Sequence, residues 1–295
     1  MRLFRSVAAT TVAVSALLLG GSQAYALEAG TATAAPAASQ VAAPGTDFTG
    51  IAALSNCSAS LVRYAESLST DRALVLTNGH CYENGFLSPG QVLVNRSSSR
   101  QITLLRPSSS NAGTVRASRI LYGTMTKTDV ILYEVNESYA SIKSRLNVTP
   151  LTLAKQAPAN GAGLAVVSGY WKRIYTCSVQ ATIPTLREGN WTWQNSIKYQ
   201  QPGCETIGGT SGSPIVSTST GEVIGINNTG NEDGERCTVN NPCEVDANGN
   251  VTVDQGAAYG QQTWWFYTCL TSSRTIDLNK TGCQLVKPAT RTTHN

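Results

Sequence analysis

Three short stretches carry residue types that could act together. In "CETIGGTSGSPIV", residues 204–216, Ser211 sits among Gly208, Gly209, Thr210, Gly212 and Ser213. Glycines allow backbone conformations that other residues avoid, so a serine there can present its hydroxyl while neighbouring N–H groups converge on one point. An acyl-transfer nucleophile and its anion-stabilising donors need that arrangement. Taken alone, the stretch reads equally well as a plain Gly/Ser loop. A serine hydroxyl also needs a base, and the base needs an acid to hold its tautomer. The chain has two histidines. His294 lies in the polar tail "TRTTHN", which leaves His80, in "RALVLTNGHCYENG" at residues 72–85, as the base. Asp129 opens the apolar run of "TKTDVILYEV", which would carry a partly buried carboxylate to the edge of a strand. A strand-capping or turn aspartate is the other reading of Asp129. Asp71 sits beside Arg72 in an expected turn, and Asp233, Asp246 and Asp254 lie in or near the loop of Cys237 and Cys243.

These residues must be positioned by strands. From Phe48 to about Thr268 the chain alternates short β-like runs with turn residues: "ALVLT", "QVLVN", "QITLL", "DVILYEV", "GLAVVSGY", "SPIVST", "EVIGIN" and "NVTVD". No long helical periodicity interrupts them, and only Ala140 to Leu146 suggests a turn or two of helix. Repeated short strands point to an all-β protein of barrels or sandwiches. The length allows two barrels of about 100 residues each. "TPLTLAKQAPANGAG" suggests a division near Pro150 to Pro158, hence units at 46–150 and 151–295.

The first 26 residues read as a secretory signal: basic Arg2 and Arg5, an apolar Val7–Leu19 stretch, and Ala24-Tyr25-Ala26 before the cut. A retained anchor helix is the competing reading, and no later segment is apolar and long enough to span a membrane. Residues 27–45, rich in Ala, Thr and Pro, read as a disordered linker or propeptide. Removing the signal leaves 20 basic against 18 acidic residues, a net charge of +2. That near-neutral balance, with no basic cluster, argues against nucleic acid as a partner.

Eight cysteines follow the signal: Cys57, Cys81, Cys177, Cys204, Cys237, Cys243, Cys269 and Cys283. An even count in a secreted chain suggests disulfides. Proximity suggests Cys237–Cys243 and Cys269–Cys283. A metal site fits poorly, because there is no Cys-x-x-Cys and His80 directly abuts Cys81. Asp246, Asn248 and Asn250 alternate as calcium ligands do, but Val251 and Ala257 stand where that loop needs Gly and Glu. No metal and no cofactor are expected. Several Asn-x-Ser/Thr triplets, including those at Asn147 and Asn190, are potential glycan acceptors.

Together, "LTNGHC", "TDVILYEV" and "GGTSGSP" resemble the histidine, aspartate and serine motifs of chymotrypsin-fold serine proteases, in their bacterial secreted branch near the glutamyl endopeptidases. The order His, Asp, Ser also matches, and the similarity covers roughly residues 48 to 268. The resemblance implies two six-stranded antiparallel β-barrels with the site between them, His80 and Asp129 coming from the first and Ser211 from the second. It implies a Cys57–Cys81 disulfide fixing the histidine turn, and a Cys177–Cys204 bridge. It implies an oxyanion site at the N–H groups of Gly209 and Ser211, and backbone pairing of substrate with Asn228, Thr229 and Gly230. The expected partners are polypeptide substrates of a secreted, monomeric enzyme.

Two departures bear on activation and specificity. Thr210 stands where trypsin-like zymogens hold an aspartate for a freed N-terminus, so activation by terminal insertion is not expected. Asn227 replaces the histidine with which glutamyl endopeptidases read a substrate glutamate, although Thr206 keeps another residue of that pocket. Glu205 falls near a trypsin-like pocket aspartate, where it either favours Lys and Arg or is simply solvated. Two other classes compete: a catalytically silent protease-like binding protein, and an extracellular adhesion or carbohydrate-binding sandwich. The latter would use Trp191/Trp193 and Trp264/Trp265 as a sugar platform, whereas packing is the commoner use of such aromatics.

Overall fold

The structure, a computed structural model, describes residues 47–199 and 201–289. The signal at 1–26, the whole of the 27–45 linker, and His294 lie outside the described residues. Seven strands come first: β1 (Ile51–Ala53), β2 (Ser58–Arg63), β3 (Arg72–Thr77), β4 (Val92–Ser97), β5 (Gln101–Leu105), β6 (Asn111–Thr124) and β7 (Val130–Ser138). All but β4 close in a ring, β1-β5-β6-β7-β3-β2 and back to β1, with every pair antiparallel. Helix α1 (Tyr139–Leu146) and strand β8 (Leu151–Thr152) follow.

The second half contributes β9 (Gly163–Ser168), β10 (Arg173–Glu188), β11 (Trp191–Tyr199), β12 (Pro214–Ser217), β13 (Val223–Gly230), β14 (Cys243–Val245), β15 (Val251–Thr252), β16 (Ala258–Gln262) and α2 (Trp265–Thr268). Here the antiparallel ring runs β9-β10-β11-β16-β13-β12 and returns to β9, with β14 and β15 extending from β10. The chain is thus nearly all β, in the two-barrel arrangement of chymotrypsin-like proteins.

Burial explains the sequence patterns. In β3, Ala73 and Val75 point into the first barrel with Leu61, Ile102 and Ile131. Leu74 and Leu76 point the other way, onto a second cluster with Val62, Tyr122 and Leu132. Both faces are covered, so the strand reads as a continuous apolar run instead of an alternating one. Leu164, Val166, Ile197 and Ile215 fill the second barrel. Ile51 and Leu105 meet Val167 and Val216 where the barrels abut.

The expected division near Pro150 carries structure of its own. Leu151 pairs in parallel with Val62 of β2, and Leu153 bridges to Val223 of β13, so the connection is held by both barrels. The last described segment also crosses over. Trp265, Phe266, Leu270 and Leu285 pack on Val62, Tyr64, Leu74 and Tyr122 of the first barrel. The Tyr122 hydroxyl donates to Val286 O at 3.1 Å, and Arg274 forms an ion pair with Asp71 at 2.7 Å. The four disulfides are Cys57–Cys81, Cys177–Cys204, Cys237–Cys243 and Cys269–Cys283. No helix among the described residues is long and apolar enough to cross a membrane.

Candidate active site

Strand β3 ends at Thr77, and the chain turns at once through a short 3-10 turn, Gly79–Cys81. Gly79 permits the turn, because a Cβ there would lie 2.2 Å from Thr124 O and 2.7 Å from Asp129 Oδ1. The turn therefore sits against the start of β7 and delivers His80 to Asp129. Asp129 is fully buried, more deeply than its place at a strand edge suggests. Its carboxylate is satisfied twice by His80: Oδ1 accepts the backbone N–H at 3.0 Å, and Oδ2 lies 2.7 Å from Nδ1. A carboxylate can only accept, so Nδ1 carries the proton and Nε2 keeps its lone pair. Nε2 has no partner among the described residues.

The Cys57–Cys81 disulfide ties the turn to the start of β2, and buried Arg100 donates to Cys81 O and to the Asn56 side chain. Because both sulfurs are in that disulfide, the close cluster of Cys57, His80 and Cys81 offers no thiolate to a metal. Segment 125–129 is clasped from the second barrel as well. Lys127 exchanges backbone hydrogen bonds with Thr192 and Gln194, and the buried Trp193 indole donates to Met125 O at 3.0 Å. Trp191 donates to Leu87 O at 2.9 Å. Trp191 and Trp193 pack between the barrels, and buried Trp265 packs in its own cluster.

Ser211 arrives on the loop before β12. Gly212, at φ +78°, has no room for a side chain: a Cβ would lie 2.1 Å from Ser58 O. Ser58 N–H donates to Ser211 O at 2.8 Å, which docks the loop on the first barrel. Buried Asn78 links both sides of the site. Its Nδ2 donates to Asp129 O at 2.9 Å, and its Oδ1 accepts the Gly212 N–H. The sequence hides this role, since Thr-Asn-Gly reads simply as a turn. Along 209–213, Thr210, Gly212 and Ser213 donate their N–H groups within the protein, whereas those of Gly209 and Ser211 have no acceptor among the described residues. The Ser211 hydroxyl donates to Asn228 O at 3.3 Å.

His80, Asp129 and Ser211 line one cleft of about 270 Å³, together with Glu205, Thr206, Asn227, Asn228, Thr229 and Gly230. Phe86 stands at its edge, its ring T-stacked on those of His80 and Trp191. Buried Asn227 donates through Nδ2 to the Thr210 hydroxyl at 3.0 Å. Glu205 is exposed, and its carboxylate accepts the Gly203 N–H at 3.0 and 3.1 Å. The loop of Asp246 satisfies itself: Asp246 accepts from Asn248 N and Asn250 N, each at 2.8 Å.

A second buried acid in the cleft, after Asp129, escapes sequence reasoning because "REGNW" reads as a hairpin turn. Glu188, at the end of β10, is only 7% exposed, and its Oε1 accepts the Asn240 N–H at 2.9 Å. Burial pushes its carboxyl above the ordinary range, against the Thr229 hydroxyl, the Asn240 N–H and the His80 charge. For His80, burial favours the neutral ring. The Asp129 charge and hydrogen bond, with the Glu188 charge, outweigh it and raise the histidine above 6.5.

Against known proteins, the trypsin-like peptidase domain matches residues 58–226, more than half the chain. Similar solved structures include the Rv3671c protease of M. tuberculosis H37Rv in an inactive form (13% identity, 72% of this chain and 83% of that one, TM-score 0.44). They also include the MamO protease domain of Magnetospirillum magneticum (13%, 74% and 93%, 0.43) and a Glu endopeptidase in complex with MPD (13%, 73% and 85%, 0.41). No curated protein matches the chain.

Proposed function

Since the chain belongs to the trypsin-like peptidase family, we propose that it is a secreted serine endopeptidase that works through an acyl-enzyme with Ser211, His80 and Asp129 as its triad. The observation that carries this reading is the His80–Asp129 pair, whose free Nε2 shares one cleft with Ser211. To act, the Ser211 hydroxyl must turn away from Asn228 O toward His80 Nε2. Apo structures commonly hold such hydrogen bonds loosely. Oγ attacks the scissile carbonyl carbon while its proton passes to Nε2, and Asp129 stabilises the resulting imidazolium. The carbonyl oxygen becomes an oxyanion held by the N–H groups of Gly209 and Ser211. The imidazolium returns its proton to the leaving amine as the C–N bond breaks. Water then attacks the ester, again through His80, and releases the acid product and the Ser211 hydroxyl.

Secretion fits the four disulfides, which persist in oxidising compartments. In this reading 1–26 are removed as a signal, 27–45 are linker or propeptide, and the barrels divide near residue 150. The test is labelling with a fluorophosphonate, which is trapped only by a working nucleophile. Wild-type protein should be labelled at Ser211 and should cleave casein, and heat-unfolded protein should do neither. Folded protein that is neither labelled nor active overturns the proposal.

The pH dependence follows from the groups that face His80. Activity needs the neutral ring, so a raised histidine moves the acid limb of kcat/KM to the alkaline side of about pH 6.5. Asp129 and Glu188 supply the raising charges. Glu188→Gln keeps an acceptor for Asn240 but removes one charge, so the limb should move to lower pH. An unmoved or alkaline-shifted limb would contradict that role for Glu188.

A further inference from the structure

The β9–β10 turn carries two large exposed aromatics beside the Ser211 loop. Trp171 is 48% exposed, yet it is held firmly. Its backbone N–H donates to the Ser168 hydroxyl at 3.2 Å, and the Tyr170 N–H donates to the Ser58 hydroxyl at 3.1 Å. Those two hydroxyls are 3.1 Å apart, and Gly169 lies against Ala52 O so closely that any side chain would clash at 2.1 Å. The turn is therefore anchored on the first barrel through Ala52 and Ser58, and the Ser211 loop is docked on the same Ser58. From this platform the Trp171 indole Nε1–H donates to Gly208 O at 2.8 Å.

That hydrogen bond acts on an otherwise unrestrained peptide. Gly208 and Gly209 have no side chains, so the peptide plane between them can turn over at little steric cost. In a trans peptide the C=O and the next N–H point in opposite directions. Gly208 lines the cleft and Trp171 stands outside it. An indole that holds Gly208 O outward turns the Gly209 N–H inward, where it has no acceptor among the described residues. The flipped peptide would place a carbonyl oxygen, and a repulsive dipole, where an anion must form. Gly209 accepts this contact only as glycine: φ is +87°, and a Cβ would meet Trp171 Nε1 at 2.8 Å.

We infer that Trp171 is a positioning residue for the oxyanion donor: its indole N–H locks the Gly208–Gly209 peptide with the Gly209 N–H facing the cleft. This rests on the peptidase reading above. Trp171→Phe keeps an aromatic ring beside Tyr170 and removes the donor, together with part of the indole's contact with Gly209. The loss of one net hydrogen bond corresponds to about a fivefold to tenfold shift in the peptide's orientation. The expected result is a fall in kcat of about that factor, with KM within about twofold of wild type. Affinity for a peptide boronic acid, whose tetrahedral adduct places an oxygen in the same site, should fall by the same factor. Affinity for the amine-side cleavage product, which places no oxygen in that site, should stay unchanged, as should the acid limb of the pH profile. Trp171→Leu should lose at least as much, since it too lacks the N–H. Full kcat in Trp171→Phe, or a fall in kcat with boronate affinity intact, overturns the inference while the peptidase reading stands. Wild-type protein that neither hydrolyses peptides nor binds the boronate overturns both.

Discussion

Ser211→Ala and His80→Ala are each expected to lower kcat by about a millionfold, and the double variant should be no worse than either single one. The reason is the division of labour in the cleft. His80 has its Nδ1 committed to Asp129 and only Nε2 to offer, so its catalytic use depends on the Ser211 proton. Without Ser211 there is no proton to take, and without His80 the hydroxyl keeps it. What survives should come from the N–H groups of Gly209 and Ser211 and from substrate binding, about 10³–10⁴ over the uncatalysed reaction. Steady-state kinetics on one peptide substrate, with thermal melts to show intact folds, checks this. Losses that multiply in the double variant would mean that the residues act independently, and the assignment would fail.

Asp129→Asn should cost about 10⁴ in kcat with little change in KM. The direction follows from where each carboxylate oxygen points. Oδ1 accepts the His80 backbone N–H, a donor that cannot change character. An asparagine must place its carbonyl oxygen there, which aims its NH₂ at Nδ1. The ring must then accept at Nδ1 and carry its proton on Nε2, the wrong tautomer for taking a proton from Ser211. NMR of the imidazole nitrogens should report the switched tautomer beside the lost turnover. A variant that retained wild-type kcat would remove Asp129 from the mechanism.

Much of the candidate site is legible in the sequence because its three segments each carry local chemistry: the end of an apolar strand before His80, the start of another after Asp129, and a glycine-rich loop around Ser211. The parts that escape are non-local. Asn78 reads as a turn residue, and only the fold shows it joining Asp129 to the Ser211 loop across 134 positions. Glu188 reads as a turn acid, and Trp171 as an ordinary loop aromatic. Among the strands, the runs around β3, β7, β9 and β13 stand out because they are apolar for several residues. The long β6 and β10 do not. Their burial alternates with many exposed polar residues, β6 bulges twice against β7, and β10 carries Pro184. The crossing of the last segment onto the first barrel leaves no local signature, because its Trp, Phe and Leu residues read as part of the second unit.

That crossing sets a timetable for synthesis. His80 and Asp129 are made early, but the outer face of their barrel, with Val62, Leu74 and Tyr122, gains part of its cover from Trp265 to Leu285. At ordinary translation rates the interval between Leu76 and Leu285 is about 10–40 s. Throughout it the first barrel is a half-covered sheet with an apolar face, a natural client for a chaperone. The ion pair of Asp71 with Arg274, 203 positions apart, can form only after the second barrel has been made. A chain released before Trp265 would carry His80, Asp129 and Ser211 but lack the Trp265–Leu285 cover of its first barrel.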